Sequence, residues 1–217
     1  NLWAIWLRIL AELVVVGRSF VHTDADCIWL ANHFDFGFGH WLELIFSQGT
    51  LHPAGVHGEL GFVMCCGLFR VNARASASGF LRRLADHVEG TKDDQVSVNE
   101  VLFALGTVWD KAAAPDYRLR FRDQRFSCWT DVLHGRCDAL DLRIDLVPHR
   151  LVQRIPDPTV REQDVVAKHH FSAKDAKAKM AEFRNQGLFA LNEDWEQLVP
   201  GTSLEAYIDT GASTPGR

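Results

Sequence analysis

Apolar residues recur at helical spacing from the start of the chain. Trp3, Trp6, Leu7, Leu10, Leu13 and Val14 share one face of a helix over Asn1–Val16, which Gly17 stops. Arg8 and Glu12 interrupt the run, which is shorter than the roughly 20 apolar residues of a bilayer span, so it reads as an amphipathic core helix. Ser19–His22 then reads as a short strand ending in Thr23-Asp24-Ala25-Asp26, and Cys27–Leu30 continues as an apolar stretch. Asn32–Gly39, rich in Phe, Asp and Gly, reads as a loop. Trp41–Phe46 fits a short helix or strand. Gly49–Gly61, with four Gly, one Pro and two His, reads as a loop.

Phe62–Asn72 carries a strand pattern with Gly67 inside it, and an interior Gly marks close approach by backbone or ligand. Ser76–Glu89 is helical, with Phe80, Leu81, Leu84 and Val88 on one face. Asp93–Leu105 is a second helix that Asp93 is placed to cap. Lys111–Arg125 reads as a charged connection containing Pro115. Phe126–Val147 reads as short strands with a turn at His134-Gly135, Arg150–Glu162 as a Pro-containing loop, and Val165–His169 as a brief strand. Ser172–Gln186 is an Ala- and Lys-rich helix ended by Gly187. Strands alternating with helices predict an α/β fold. With no repeat and no Pro- or Gly-rich linker, residues 1–200 are expected to form one domain and 201–217 a flexible tail.

Composition narrows the function classes. The 217 residues are 47% hydrophobic and 24% charged, which excludes a disordered chain, a collagen-like chain and a disulfide scaffold. A net charge of -5 without a basic patch argues against nucleic acid as a partner. Five Cys, an odd number without CxxC spacing, read as buried free thiols rather than a zinc site. Trp109 and Trp129 read as core residues.

Three features carry candidate chemistry. Phe20–Asp26 is an apolar strand that delivers two carboxylates at its end, where open α/β sheets bind ligands. A turn at Ala25 lets Asp24 and Asp26 both approach one hard cation such as Mg²⁺ or Mn²⁺. Asp93-Asp94-Gln95 opens a helix, where acidic residues suit the dipole or aim a carboxylate and an amide into a cleft. Lys168-His169-His170-Phe171, followed by Lys174, Lys177 and Lys179, offers a metal-ligating His and phosphate-binding cations, or else a solvated basic face. The other His residues, His22 among them, have no ligand spacing and read as structural.

In this order the features resemble the GT-A fold nucleotide-diphospho-sugar transferase family that includes plant xylosyl- and arabinosyltransferases. Four segments carry the resemblance: Trp6–Gly17 with Val21–Leu30; Gly67-Leu68-Phe69-Arg70-Val71; Asp93-Asp94-Gln95 with Asn99 and Leu102; and His169 through Lys179 to Gly187-Leu188-Phe189. The resemblance implies an α/β GT-A (Rossmann-like) mixed sheet flanked by helices. It also implies a glycosyltransferase that moves a sugar from a UDP-sugar donor to a glycan or protein-linked acceptor in the Golgi lumen or another secretory compartment. Carried over by position, Asp24, Asp26 and His169 would hold Mn²⁺ or Mg²⁺, and Lys179 would contact the diphosphate. Gly67 would border the donor, and Asp94 and Gln95 would line the catalytic pocket. Cys65-Cys66 stand where a polar Asn-Ser/Thr pair is usual, Asp175 where Gly is common, and Phe189 where Trp is usual. The family's nucleotide-binding β-α-β portion precedes its first helix, so the segment is expected to be N-terminally truncated. Two alternatives stand beside this reading. One is a partial or degenerate, non-catalytic domain of the same kind. The other is a haloacid-dehalogenase-like phosphatase with Asp24 as nucleophile and Asp26 as acid/base.

Overall fold

The computed structural model describes residues 1–32, 42–110, 114–121, 123–169, 175–185 and 187. The elements, in chain order, are α1 (Leu2–Val15), β1 (Phe20–Thr23), β2 (Ile28–Trp29), β3 (Leu44–Gln48), α2 (Ala54–Leu60), β4 (Met64–Val71), α3 (Ala75–Thr91) and α4 (Asp94–Ala104). They continue with β5 (Val108–Trp109), β6 (Tyr117–Phe121), β7 (Gln124–Cys128), β8 (Leu133–Cys137), β9 (Leu142–Val147), β10 (Val152–Gln153), β11 (Ala167–Lys168) and α5 (Ala176–Asn185). The chain divides into two compact units, Asn1–Phe171 and Ser172–Arg217. His170, Phe171, Lys174, Phe189, the loop read over 33–39 and the tail read over 201–217 lie outside the described residues.

The first unit is a mixed α/β sheet of the GT-A kind. Six strands run in the order β1-β4-β3-β9-β8-β5, with β3 and β9 parallel and every other pair antiparallel. One face packs against α1, α3 and α4 through a core that includes Leu7, Leu10, Phe46, Phe80, Leu84 and Ile144. The other face is smaller. There Ile45, Leu68 and Val147 meet Cys27 and, from a three-stranded sheet ordered β10-β11-β2, Val152 and Ala167. Sides alternate along a strand, so residues three apart should lie on opposite faces. Cys66 and Phe69 both reach the helical core, because the register between β3 and β4 slips between Phe46 and Ser47. The slip turns Gly67 and Leu68 away from the helices together.

Several local readings are corrected by packing. The buried stripe of α1 is Ala4, Leu7, Leu10, Ala11 and Val14, while Trp3 and Leu13 sit at the rim. Ala4 and Ala11 on α1, with Ala77 and Ala85 on α3, are all 0% exposed, and small residues at the seam let two helices approach closely. The outer side of α1 is apolar too, since Leu2, Ile5, Ile9 and Val15 are exposed. The expected loop over 49–61 contains α2, which buries Val56 and ends at Gly61 in the left-handed region (φ 80). Burial of Val56 offsets the roughly 1 kcal/mol that each helical Gly costs. The charged connection over 111–125 holds β6, whose Tyr117 and Leu119 alternate inward with Arg118 and Arg120 outward. No turn forms at His134-Gly135, which lies inside β8. A Cβ at Gly135 would come within 2.9 Å of the Trp109 ring, so this Gly admits an indole. The turn comes at Asp138–Asp141.

The helix over 94–104 is capped as expected, with the Asp93 carboxylate accepting from the Val96 N–H at 2.8 Å. Asn99 on α4 is fully buried and ties the helix to the sheet. Its Oδ1 accepts from the Met64 N–H at 2.8 Å, and its Nδ2 donates to the Met64 carbonyl at 2.9 Å. Truncating Asn99 to Ala strands both backbone groups of Met64. We expect Asn99→Ala to lose about 2–4 kcal/mol of stability in a urea titration, and a loss under about 0.5 kcal/mol would contradict this anchoring role.

Candidate metal centre

The site grows from the end of β1. The ladder with β4 continues one residue past the strand, as the Asp24 N–H donates to the Gly67 carbonyl at 2.8 Å. The Cys27 N–H then donates back to the Asp24 carbonyl at 3.0 Å, closing a four-residue turn over 24–27. That turn brings Asp24 and Asp26 to one side. The chain leaving it as β2 pairs antiparallel with β11, whose end delivers His169. The His169 N–H donates to the Gln153 carbonyl at 2.9 Å, and the Arg154 guanidinium donates to the His169 carbonyl. His169 Nε2 then lies 3.1 Å from Asp26 Oδ1 and 3.5 Å from Asp24 Oδ2. One ligand atom from each of Asp24, Asp26 and His169 falls within 4.8 Å of the others.

Gly67 makes room for this arrangement. A Cβ built on it would lie 1.8 Å from His169 Cε1, 2.4 Å from Nδ1 and 2.7 Å from Asp24 Oδ2. No side chain fits there, and the interior Gly is the sequence signal for that close approach. Three residues that sequence reasoning passed over complete the setting. His22 Nε2 is 3.3 Å from Asp24 Oδ1, and the His22 ring packs between Trp6 and Phe69, with centroids 4.3 and 4.9 Å away. Cys65 Sγ is 3.6 Å from His169 Nδ1. Arg154 stands behind both Cys65 and His169. Only spatial proximity identifies them, because none has ligand spacing along the chain.

The electrostatics report crowded negative charge. Burial works against a charged His169, but the hydrogen bonds to Asp26 and then to Cys65 outweigh it and lift the imidazole to about 9. Burial alone would raise the Cys65 thiol. The Arg154 charge, followed by the His169 hydrogen bond, brings it below the usual thiol range instead. Burial pushes the Asp94 carboxyl up to about 6, with the charges of Asp93 and Asp24 adding to the effect. Asp94 therefore shares the field of the cluster. The Gln95 amide donates to the His52 carbonyl at 3.0 Å, at the entry to α2. Lys179 belongs to α5 in the second unit and is half-buried. Asp175 caps that helix, its carboxylate accepting from the Ala178 N–H at 2.8 Å.

The donor set fits a divalent cation. Two carboxylates and one imidazole converge from a turn and a strand end, and three protein ligands leave coordination positions open. All five Cys are free and buried, as their number suggested. A sequence profile described as nucleotide-diphospho-sugar transferase matches residues 4–183. No curated protein and no solved structure matches the chain significantly.

The Asp94 environment predicts a pH dependence. A carboxyl raised from 3.8 to about 6 favours the fold fully below pH 3.8, and that contribution is lost as pH rises through about 6. At neutral pH the loss amounts to at most about 3 kcal/mol. Asp94→Asn should match the parent in melting temperature at pH 4 and exceed it increasingly up to pH 7. A difference that stays constant across this range would contradict the crowding of Asp94.

Proposed function

The chain belongs to the nucleotide-diphospho-sugar transferase family, and from that premise we propose that it transfers a sugar from a UDP-sugar donor to a glycan or glycoprotein acceptor. Asp24, Asp26 and His169 would hold the divalent cation, Mn²⁺ or Mg²⁺. Their convergence from separate parts of the sequence is the observation that carries this reading. When bound, such a cation offsets the negative charge that builds on a departing nucleoside diphosphate.

The chain's own residues supply the rest. The hydrogen bond from His22 engages Asp24 Oδ1 and leaves Oδ2 toward His169. Arg154 adds positive charge beside the cluster. Asp94 holds its proton to about pH 6, so near that pH its protonated form can donate to a sugar hydroxyl, and its ionised form accepts. Gln95, through its bond to the His52 carbonyl, ties the start of α4 to the entry of α2. Gly67 leaves its strand flat against the ligand cluster. Lys179 is assigned to the diphosphate from its place in the closing motif, and a secretory compartment such as the Golgi lumen is the expected location. Among the described residues no helix is long and apolar enough to cross a membrane. Family membership leaves the phosphatase alternative without support.

Calorimetric titration with UDP tests the assignment. The parent should bind UDP with Mn²⁺ and lose that binding with EDTA. Asp26→Ala should weaken metal-dependent binding by more than about 100-fold, beyond what loss of a supporting residue costs, with little change in melting temperature. Equal binding by parent and variant would remove the cluster from the donor site. Metal-dependent binding without transfer or donor hydrolysis would favour the non-catalytic alternative.

A further inference from the structure

We propose that Cys65 is the positioning residue that presents His169 to the cation, its sulfur accepting the hydrogen bond from Nδ1–H so that the Nε2 lone pair faces Asp24 and Asp26. This rests on the cation site proposed above and goes beyond it. An imidazole can bind a cation through either nitrogen, and the partner of the other nitrogen decides which. Here Nε2 is the nitrogen directed at both carboxylates, at 3.1 and 3.5 Å. Nδ1 is the nitrogen directed at sulfur, at 3.6 Å. With a cation on Nε2, the ring's one N–H is at Nδ1 and needs an acceptor.

The sulfur is itself held in place. Cys65 is 0% exposed, and the Gly67 N–H donates to its Sγ at 3.4 Å. Two residues of β4 therefore hold the ring, with Gly67 close to its Cε1 and Nδ1 and the Cys65 sulfur at Nδ1. Cys65 and Gly67, two apart on β4, share the side toward His169 by ordinary strand alternation, while Cys66 between them goes to the helical core. Oxygen usually fills this supporting role. Sulfur is a weaker and larger acceptor, which suits the 3.6 Å separation.

The test is Mn²⁺ affinity of the full chain, read by calorimetry and by the electron paramagnetic resonance signal of free Mn²⁺. Cys65→Ala should weaken Mn²⁺ binding by about 10- to 100-fold. Cys65→Ser, which keeps an acceptor, should recover most of the loss. In a His169→Ala background there is no ring to orient, so adding Cys65→Ala should cost no more than about twofold further. A cost equal to that in the parent background would make Cys65 merely structural and overturn the proposal. Unchanged affinity in Cys65→Ala, with affinity lost in Asp26→Ala, would overturn the proposal and leave the cation site standing. Affinity unchanged in Asp26→Ala would remove the cation site itself. If thermal unfolding shows Cys65→Ala unfolded, Cys65→Val, which fills the space without an acceptor, replaces it under the same criteria.

Discussion

The contact that organises the site is the one between the backbone of Gly67 and the ring of His169. A single added carbon at Gly67 would overlap that ring and crowd Asp24. The absent side chain therefore lets a strand, a turn and a distant strand end share one small volume. The β4 ladder fixes Asp24 through its amide, and the turn brings Asp26 round. The pairing of β2 with β11 brings in His169. Each component is ordinary backbone hydrogen bonding. Its chemical value comes from where strand, turn and strand end meet.

The larger fold serves that meeting point from both faces of the sheet. On the helical side, α1 lends Trp6 to the His22 ring, and His22 in turn holds Asp24. Asn99 fastens α4 to the β4 backbone, and α4 begins with Asp94 in the electrostatic field of Asp24. On the other side, the loop after β9 returns through β10 and supplies both the Gln153 carbonyl and Arg154 to the main chain of His169. Close packing makes these supports stiff, so a small displacement in one is felt at the cluster.

Much of this was legible in the sequence. Helical period marked α1 and α3, the Asp93 cap marked α4, an Ala- and Lys-rich run marked α5, and the strand-then-carboxylate pattern marked the turn over 24–27. Elements failed where packing overrides local preference. Gly55 and Gly58 disguised α2, and Gly135 read as a turn although its bareness serves Trp109. The burial face of α1 was misjudged because helix contact there is set by Ala rather than by the largest apolar residues. At the site, Asp24, Asp26 and His169 were readable as types, and Gly67 as a place of close approach. His22, Cys65 and Arg154 were not, since their roles depend on which atoms the folded chain brings near. Two departures from the family pattern also change meaning. Cys65 has a polar partner in His169, and Asp175 spends its charge capping α5.

The most direct measurement is pulsed electron paramagnetic resonance of the chain with Mn²⁺ and UDP. A cation held by Asp24, Asp26 and His169 on a diphosphate predicts nitrogen coupling from one imidazole, abolished in His169→Gln, together with phosphorus coupling from UDP. Bound Mn²⁺ that shows neither coupling, or a nitrogen coupling that survives His169→Gln, would contradict the cluster as the donor site.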